Sequence, residues 1–470
     1  MSGKINREEF KAKLNHLVSS MRKKIIEGDI NVGDYLPSEL ILAEQYGLSK
    51  NSVRKGLEEL VSEGLIVKKS RIGNQVASTR PFDQVILRVG YYPSLIKDAQ
   101  LKELIKRFEA ENPAIKVQTI ALPYEHYRHT VQDFFQNDMI DVVTINYKDF
   151  CDFNHYQSSV FEEIAEDPNI YSFLQKPFSA AGKKKTQYVK PFVFSPIVLC
   201  YNKEHFDQKG MAYPDSGWKW DDALEAASQL MKENQEDGRC GLYFHPLSLN
   251  RWPILLLQNR VEFTRNSNGE PVFPGKEFLE SVNLLRALFD EQQIMHTFLS
   301  DSDRDAEKLF LEQKASMIMA SYFSLNEIKN HKIQYDIAPL PYLKDPSTLL
   351  LIIGLAINKF SSKKEAAAKF VDYLSGEDAQ EIIRTNTLSI PAMKKAAERQ
   401  DETEVYKPLR YQLFREIIPT YKLYTDIGLT AKEFGEVRNE LRIYLSDLMD
   451  DKIFQQRLQA KLTIQSSIPK

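Results

Sequence analysis

The chain has 470 residues, 43% of them hydrophobic and 27% charged, with a formal net charge of −3. That length exceeds one ordinary domain and predicts two or three, and the hydrophobic share excludes a wholly disordered chain. No apolar run approaches the ~20 residues that a membrane-spanning helix needs; the longest candidate, residues 349–357, falls well short. The charge is unevenly placed. Residues 1–80 carry 14 Lys and Arg against 10 Asp and Glu, and the remainder carries 48 against 55, so the front of the chain is the part suited to a polyanion.

Residues 1–9 are polar and charged, without the apolar core of a secretion signal, which leads to the expectation of a cytoplasmic chain. Cys151, Cys200 and Cys240 are widely spaced and form no CxxC pair, as expected in a reducing compartment. An amphipathic helix is predicted around Leu14, Leu17, Val18, Met21 and Ile25. Leu36-Pro37-Ser38 then stops the preceding segment and offers Ser38 as the N-cap of a short helix. Gly47 ends that helix, and Ser49 caps a second one reaching Gly64. Val53, Leu57, Leu60 and Val61 recur at helical spacing and face inward.

The opposite face of this second helix carries Lys50, Asn51, Ser52, Arg54 and Lys55, with no acid between Ser49 and Leu57. Cations at a helix N-terminus oppose its dipole, at a few tenths of a kcal/mol each. A phosphate backbone would remove that cost, and a recognition helix entering the major groove has this layout. Two short strands are expected at 65–67 and 75–77. The basic loop between them, with Lys69, Arg71 and a turn-permitting Gly73, reads as a wing that reaches phosphate or minor groove. The alternative is an ordinary small helical domain with a solvated basic surface.

This stretch resembles the winged-helix domain of the GntR family of bacterial transcription regulators. The resemblance covers roughly the first 78 residues and rests on the Gly33-Asp34-Tyr35-Leu36-Pro37-Ser38-Glu39 approach. It continues through Leu48-Ser49-Lys50-Asn51-Ser52-Val53-Arg54-Lys55-Gly56-Leu57 and Glu63-Gly64-Leu65-Ile66. It implies DNA contacts from Lys50, Asn51, Ser52, Arg54 and Gly73. With the basic layout, the expected DNA-facing set is Ser49, Lys50, Asn51, Ser52, Arg54, Lys55, Lys69, Arg71 and Gly73. Three positions depart from the family pattern. Leu40 replaces an arginine, Gly56 an alanine, and Asn74 the threonine of the wing's Gly-Thr pair.

Residues 79–85 read as a polar, proline-containing linker. Beyond it, strands expected at 85–91, 115–120 and 140–145 alternate with an amphipathic helix carrying Leu101, Leu104, Ile105 and Phe108. That order predicts an α/β lobe with a largely parallel sheet, whose pocket opens at strand C-termini, near Tyr92 and Asn146. A further strand is expected over 189–200. Pro191-Phe192-Val193-Phe194-Ser195, Val198-Leu199-Cys200-Tyr201-Asn202-Lys203, Trp218-Lys219-Trp220-Asp221-Asp222 and Tyr335-Asp336-Ile337-Ala338-Pro339-Leu340-Pro341 follow. Together they resemble the extracellular solute-binding proteins of sugar ABC transporters.

That second resemblance covers nearly everything from residue 86 to about 460. It implies two α/β lobes joined by crossing strands and closing on a ligand. The resulting expectation is a multi-domain chain: a winged helix-turn-helix (α+β) at 1–78, a linker at 79–85, and a two-lobed, periplasmic-binding-protein-like α/β domain at 86–470. Sugars are held by aromatic faces and by amides, so the candidate effector contacts are Tyr92, Asn146, Phe194, Trp252 and Tyr322. Gly354 would allow close backbone approach. For each aromatic, simple core filling is the competing reading. Trp218 and Trp220 are assigned to structure.

No HExxH, GxSxG or GxxxxGK[ST] motif is present. His126 and His129 lack a third ligand near in sequence, so no metal is expected. Ser361-Ser362-Lys363-Lys364 could suggest a pyridoxal-phosphate lysine, but serving as the cap of the helix that follows is the simpler role. The expected function is a ligand-responsive, DNA-binding transcription regulator, not an enzyme, with no cofactor. Its partners would be double-stranded operator DNA, an oligosaccharide or glycoside effector, and a second copy of the chain. The alternatives are a cytoplasmic solute-binding protein acting through a protein partner, and a pyridoxal-phosphate-dependent regulator.

Overall fold

The computed structural model describes residues 7–70, 72–79, 84–155, 160–180, 186–231, 239–290, 302–329, 332–400 and 406–466. The backbone gathers into two compact units. One holds Met1–Val89, Lys102–Ile120 and Ser362–Phe370, the other Gly90–Leu101, Ala121–Ser361 and Val371–Lys470.

The first unit opens with three helices, α1 (Arg7–Ile26), α2 (Glu39–Tyr46) and α3 (Lys50–Ser62), and a hairpin of β1 (Ile66–Lys69) and β2 (Gly73–Val76). The expected caps form. The Ser38 hydroxyl accepts from Ile41 N, the Ser49 hydroxyl accepts from Ser52 N, and Gly47 closes α2 with φ 63°. Leu17, Val18, Met21, Ile25, Leu42, Val53, Leu57, Leu60, Ile66 and Val76 form one buried core. A Cβ on Gly56 would come within 3.1 Å of Leu14 and Val18. Close packing of α1 on α3 therefore accounts for glycine where the family pattern has alanine, offsetting glycine's helix penalty of about 1 kcal/mol. Arg22 bonds Glu63 and Glu59, fastening the same two helices on their outer side.

The hairpin is antiparallel, with Ile66 opposite Val76 and Lys69 opposite Gly73. Its strands are displaced by one or two residues from the expected 65–67 and 75–77, which shortens the loop at the tip. A third strand-like segment was not anticipated. Gly33 N donates to Val76 O, Val76 N to Asp34 O, and Leu36 N to Asn74 O. Arg71, and Arg80, Pro81, Phe82 and Asp83 of the expected linker, lie outside the described residues. The same unit contains most of β3 (Val85–Tyr91) beside β4 (Ile115–Ala121), and the amphipathic helix Leu101–Glu111. Leu104 and Phe108 of that helix are buried, and Phe108 meets Phe370 edge-on.

The second unit is organised by one strand, Lys190–Asn202, whose 13 residues are all buried and which spans ~40 Å at ordinary strand rise. Its near-continuous apolar sequence is that of a strand covered on both faces. The first half pairs with Thr348–Ile357 and with Ile390–Pro391, the second half with Ala315–Ser321 and Tyr335–Ala338. One strand thus threads both halves of the sheet. All four pairings are antiparallel, as is that of Thr348–Ile357 with β5 (Val142–Asn146); Ala315–Ser321 pairs in parallel with Cys240–Tyr243. The sheet as a whole is mixed, a feature that the run of strands 85–91, 115–120 and 140–145, on which a largely parallel lobe was expected, does not reveal. Local strand–helix alternation does not reveal that long strands return through the middle.

Glu307, on the helix Arg304–Leu311, is 2% exposed. Burial pushes its carboxyl up to about 7, against the pull of the Arg251 guanidinium. Its folded pKa lies above the unfolded one, so its contribution to stability is fully present below about pH 4.5 and is lost as pH rises through about 7. Asp98, also raised by burial to about 7, acts in the same direction. Thermal unfolding followed by circular dichroism should therefore show stability falling between about pH 5 and pH 8. Glu307→Gln should flatten that slope. A variant profile parallel to the parent's would contradict the assignment.

Candidate functional sites

The exposed face of α3 presents Lys50, Asn51, Arg54 and Lys55, and Lys69 is exposed at the end of β1. Ser49 and Ser52 play a different local part. Ser49 caps the helix, and its hydroxyl lies 2.7 Å from that of Ser52, which is buried. Gly73 has φ 142°, in the region that favours glycine. The Arg54 guanidinium forms a two-toothed pair with Glu39, Nε to Oε1 at 3.2 Å and Nη2 to Oε2 at 2.7 Å. Arg54 in turn holds the Glu39 carboxyl below the usual carboxylate range. The pair ties the start of α2 to the second turn of α3. Leu40, beside Glu39, is 52% exposed. At the position where the family pattern has an arginine, the chain offers an apolar side chain to solvent.

In the second unit, two adjoining cavities of about 410 and 340 Å³ share Lys148, Leu249 and Ala431. One wall comes from the helices Tyr127–Gln136 and Tyr147–His155, the second of which begins directly after β5. The other comes from the start of helix Ala431–Leu445 and from Tyr424. The larger cavity is lined by Tyr147, Cys151, Tyr424 and Phe434 among others, the smaller by Tyr124, Arg128, Asp149, Lys432 and Arg438.

Tyr124, 56% exposed, stacks on Tyr92 with ring centroids 5.3 Å apart and an interplanar angle of 3°. Tyr92 is buried, and its hydroxyl donates to Asp149 Oδ2 at 2.5 Å. Asn146 Nδ2 donates to the same carboxylate at 2.8 Å, and Asn146 Oδ1 accepts from Asp149 N. Lys148 Nζ lies 3.2 Å from Asp149 Oδ1. Burial, and then the neighbouring Tyr127 and Asp149, push the Tyr92 phenol well above its ordinary value, so it remains a neutral donor. Burial works against the Lys148 ammonium, but Asp149 and Asp152 raise its pKa overall and keep it charged. Burial also raises the Cys151 thiol to about 11, leaving it a protonated wall group and not a nucleophile.

Tyr92 and Asn146 thus stand directly behind the cleft surface, bonded to its lining residue Asp149. The other sequence candidates are placed elsewhere. Phe194 is fully buried among Tyr171, Phe173 and Phe414. Tyr322 is fully buried, donating to Tyr411 O and accepting from Phe414 N. Trp252 is 1% exposed and packs on Phe434, one residue removed from the cavity. A Cβ at Gly354 would fall 2.6 Å from Lys190 O, so the close approach there is made by a neighbouring strand, at a shift in register. Trp220, read as structural, is buried with Nε1 on Gln258.

The lining residues missed from sequence are Tyr124, Tyr147, Tyr424 and Phe434. Tyr147 alone carried a usable signal, as it follows Asn146 at a strand end. His126 and His129 line the smaller cavity, and His129 Nε2 lies 3.0 Å from Arg128 Nη2. In the run considered for pyridoxal phosphate, the Ser361 hydroxyl donates to Asp141 and Lys364 opens the helix Lys364–Ser375.

Two family models match the chain. One, bacterial extracellular solute-binding protein, covers residues 92–381; the other, bacterial regulatory proteins of the gntR family, covers residues 14–76. The chain belongs to the bacterial extracellular solute-binding protein family, with a GntR-family DNA-binding regulatory domain ahead of the solute-binding part. Among solved structures, the ABC substrate-binding protein Lmo0181 from Listeria monocytogenes, in complex with cycloalternan, is 21% identical with a TM-score of 0.69. The match covers 82% of this chain and 100% of that one. The multiple sugar-binding protein of Streptococcus mutans serotype c is 22% identical over 334 residues, 68% of this chain and 77% of that one. At the front, the uncharacterized HTH-type transcriptional regulator YieP of Escherichia coli (strain K12) is 33% identical over 60 residues, 13% of this chain and 26% of that one. The families matched are regulatory and solute-binding. Among the described residues, no helix is long and apolar enough to cross a membrane.

Proposed function

We propose that the chain is a transcription regulator acting in the cytoplasm, with a winged helix that binds operator DNA and a sensor domain that takes a carbohydrate. The observation that carries this reading is the pairing, in one chain, of an exposed basic recognition face, with no acid of its own from Ser49 to Leu57, with an aromatic-walled cleft. Tyr124 backed by Tyr92, with Tyr147 and Tyr424 nearby, offers flat faces for sugar C–H surfaces, and Asp149 and Lys148 offer partners for hydroxyls. The relatives whose names mention sugars support the same ligand class. The domain boundaries proposed remain 1–78 and 86–470.

Ligand closes the cleft, and closure shifts the population of DNA-module geometries through the short linker. About seven residues of chain reach only ~20–25 Å, so motion of the sensor is not lost in a slack tether. The active species is a homodimer, because one winged helix covers too little DNA for high specificity. Its two copies would read half-sites whose spacing follows the dimer. Binding of the purified protein to its own upstream DNA, measured by fluorescence anisotropy at fixed salt, tests the first element. Sedimentation of the complex gives the number of copies bound. Equal affinity for upstream and scrambled DNA, or one copy per specific site, would count against the reading.

A further inference from the structure

The smaller cavity is lined by more positive than negative charge: Arg128, Lys148, Lys432 and Arg438 against Asp149 and Asp152. The acids are partly engaged. Asp149 already accepts from Tyr92 and Asn146 and pairs with Lys148. Arg438 is the least satisfied of the cations. Its Nε is buried and has no hydrogen-bond partner among the described residues. Burial, and then the neighbouring Arg442, lower its pKa, yet a guanidinium remains charged at neutral pH. A half-buried guanidinium with an unused buried donor is costly in the empty state. It is the group best matched to a planar or tetrahedral oxyanion, which it can hold by two parallel bonds.

We infer that the carbohydrate taken by this cleft carries an anionic group, a phosphate ester or a carboxylate, held by Arg438 with Lys432 and Lys148 beside it. This rests on the carbohydrate reading above and narrows it. Tyr124 receives the sugar ring, and the basic wall receives the acid. A neutral sugar would leave Arg438 desolvated and unpaired, which selects against it.

The test is isothermal titration of the full chain with a panel of neutral disaccharides, each beside its phosphate monoester and its aldonic acid, and with inorganic phosphate alone. The expected result is an acidic form binding at least about tenfold more tightly than its neutral parent, in keeping with a hydrogen bond to a charged group. Phosphate esters and aldonates separate the two possible acids. Arg438→Gln should abolish the preference, bringing the acidic form to the affinity of its neutral parent, and Arg438→Lys should restore part of it. Neutral sugars binding as tightly as their acidic forms would overturn the inference and leave the carbohydrate reading standing. Equal weakening of neutral and acidic forms by Arg438→Gln would also overturn it, by reducing Arg438 to a wall-packing residue. Inorganic phosphate binding as tightly as any sugar phosphate would support the anion site and remove the carbohydrate. No binding by any member would overturn both.

Discussion

Arg54→Ala is expected to lower affinity for the specific operator by about 10- to 100-fold, ~1.4–2.7 kcal/mol, the range of one good bidentate base or phosphate contact. The structural reason is position. Arg54 lies one turn into α3 on the face left free by the core residues Val53 and Leu57, and Glu39 fixes its guanidinium through two bonds. Both partners are accessible to solvent, so breaking their pair should cost the fold little and the variant should remain folded. The salt dependence tells which contact is lost. A slope reduced by about one, with all sequences weakened alike, assigns Arg54 to phosphate; relaxed preference at one base pair assigns it to a base edge. Unchanged operator affinity, measured by anisotropy at fixed salt, would remove α3 as the recognition helix.

Tyr124→Ala is expected to weaken sugar binding by about 10- to 30-fold and to leave operator affinity without ligand unchanged. Tyr124 is more than half exposed, yet it is held flat against a buried ring that is itself anchored through its hydroxyl to Asp149. A pre-positioned ring loses little entropy on binding, which is the condition under which an aromatic contact contributes most. Tyr124→Phe should retain most of the affinity, because the face and not the hydroxyl makes the contact. Titration calorimetry with the tightest sugar of the panel decides it. Equal affinities for parent and alanine variant would place the ligand elsewhere.

The winged helix was legible because its signals are local. Ser38, Gly47 and Ser49 punctuate the helices through bonds to residues three or four positions away, and α3 shows its core and free faces by spacing alone. What escaped was Tyr35, whose segment pairs with β2 across some forty residues. The cleft was less legible for the same reason. The strand-end rule led to Tyr92 and Asn146, which stand just behind the surface. Tyr322 directly follows a strand as Tyr92 does, and Phe194 lies inside one, but burial by Phe173, Tyr411 and Phe414 comes from distant parts of the chain. Tyr424 and Phe434 reach the cleft from the far end of the sequence, and no local pattern marks them. Gly354 shows how one feature admits two causes. The close backbone approach was readable, but its partner, Lys190 in the neighbouring strand, was not.

The central claim is coupling: occupancy of the cleft changes how the winged helix meets DNA. It is tested most directly by operator binding of the full chain, followed by anisotropy at one near-physiological salt concentration with and without saturating acidic sugar. The account predicts a shift in operator affinity of about fivefold or more, the usual scale of allosteric coupling, with its midpoint in Tyr124→Ala moved to about 10- to 30-fold higher sugar concentration. Operator affinity identical in the two conditions, with sugar binding confirmed in the same sample, would contradict it.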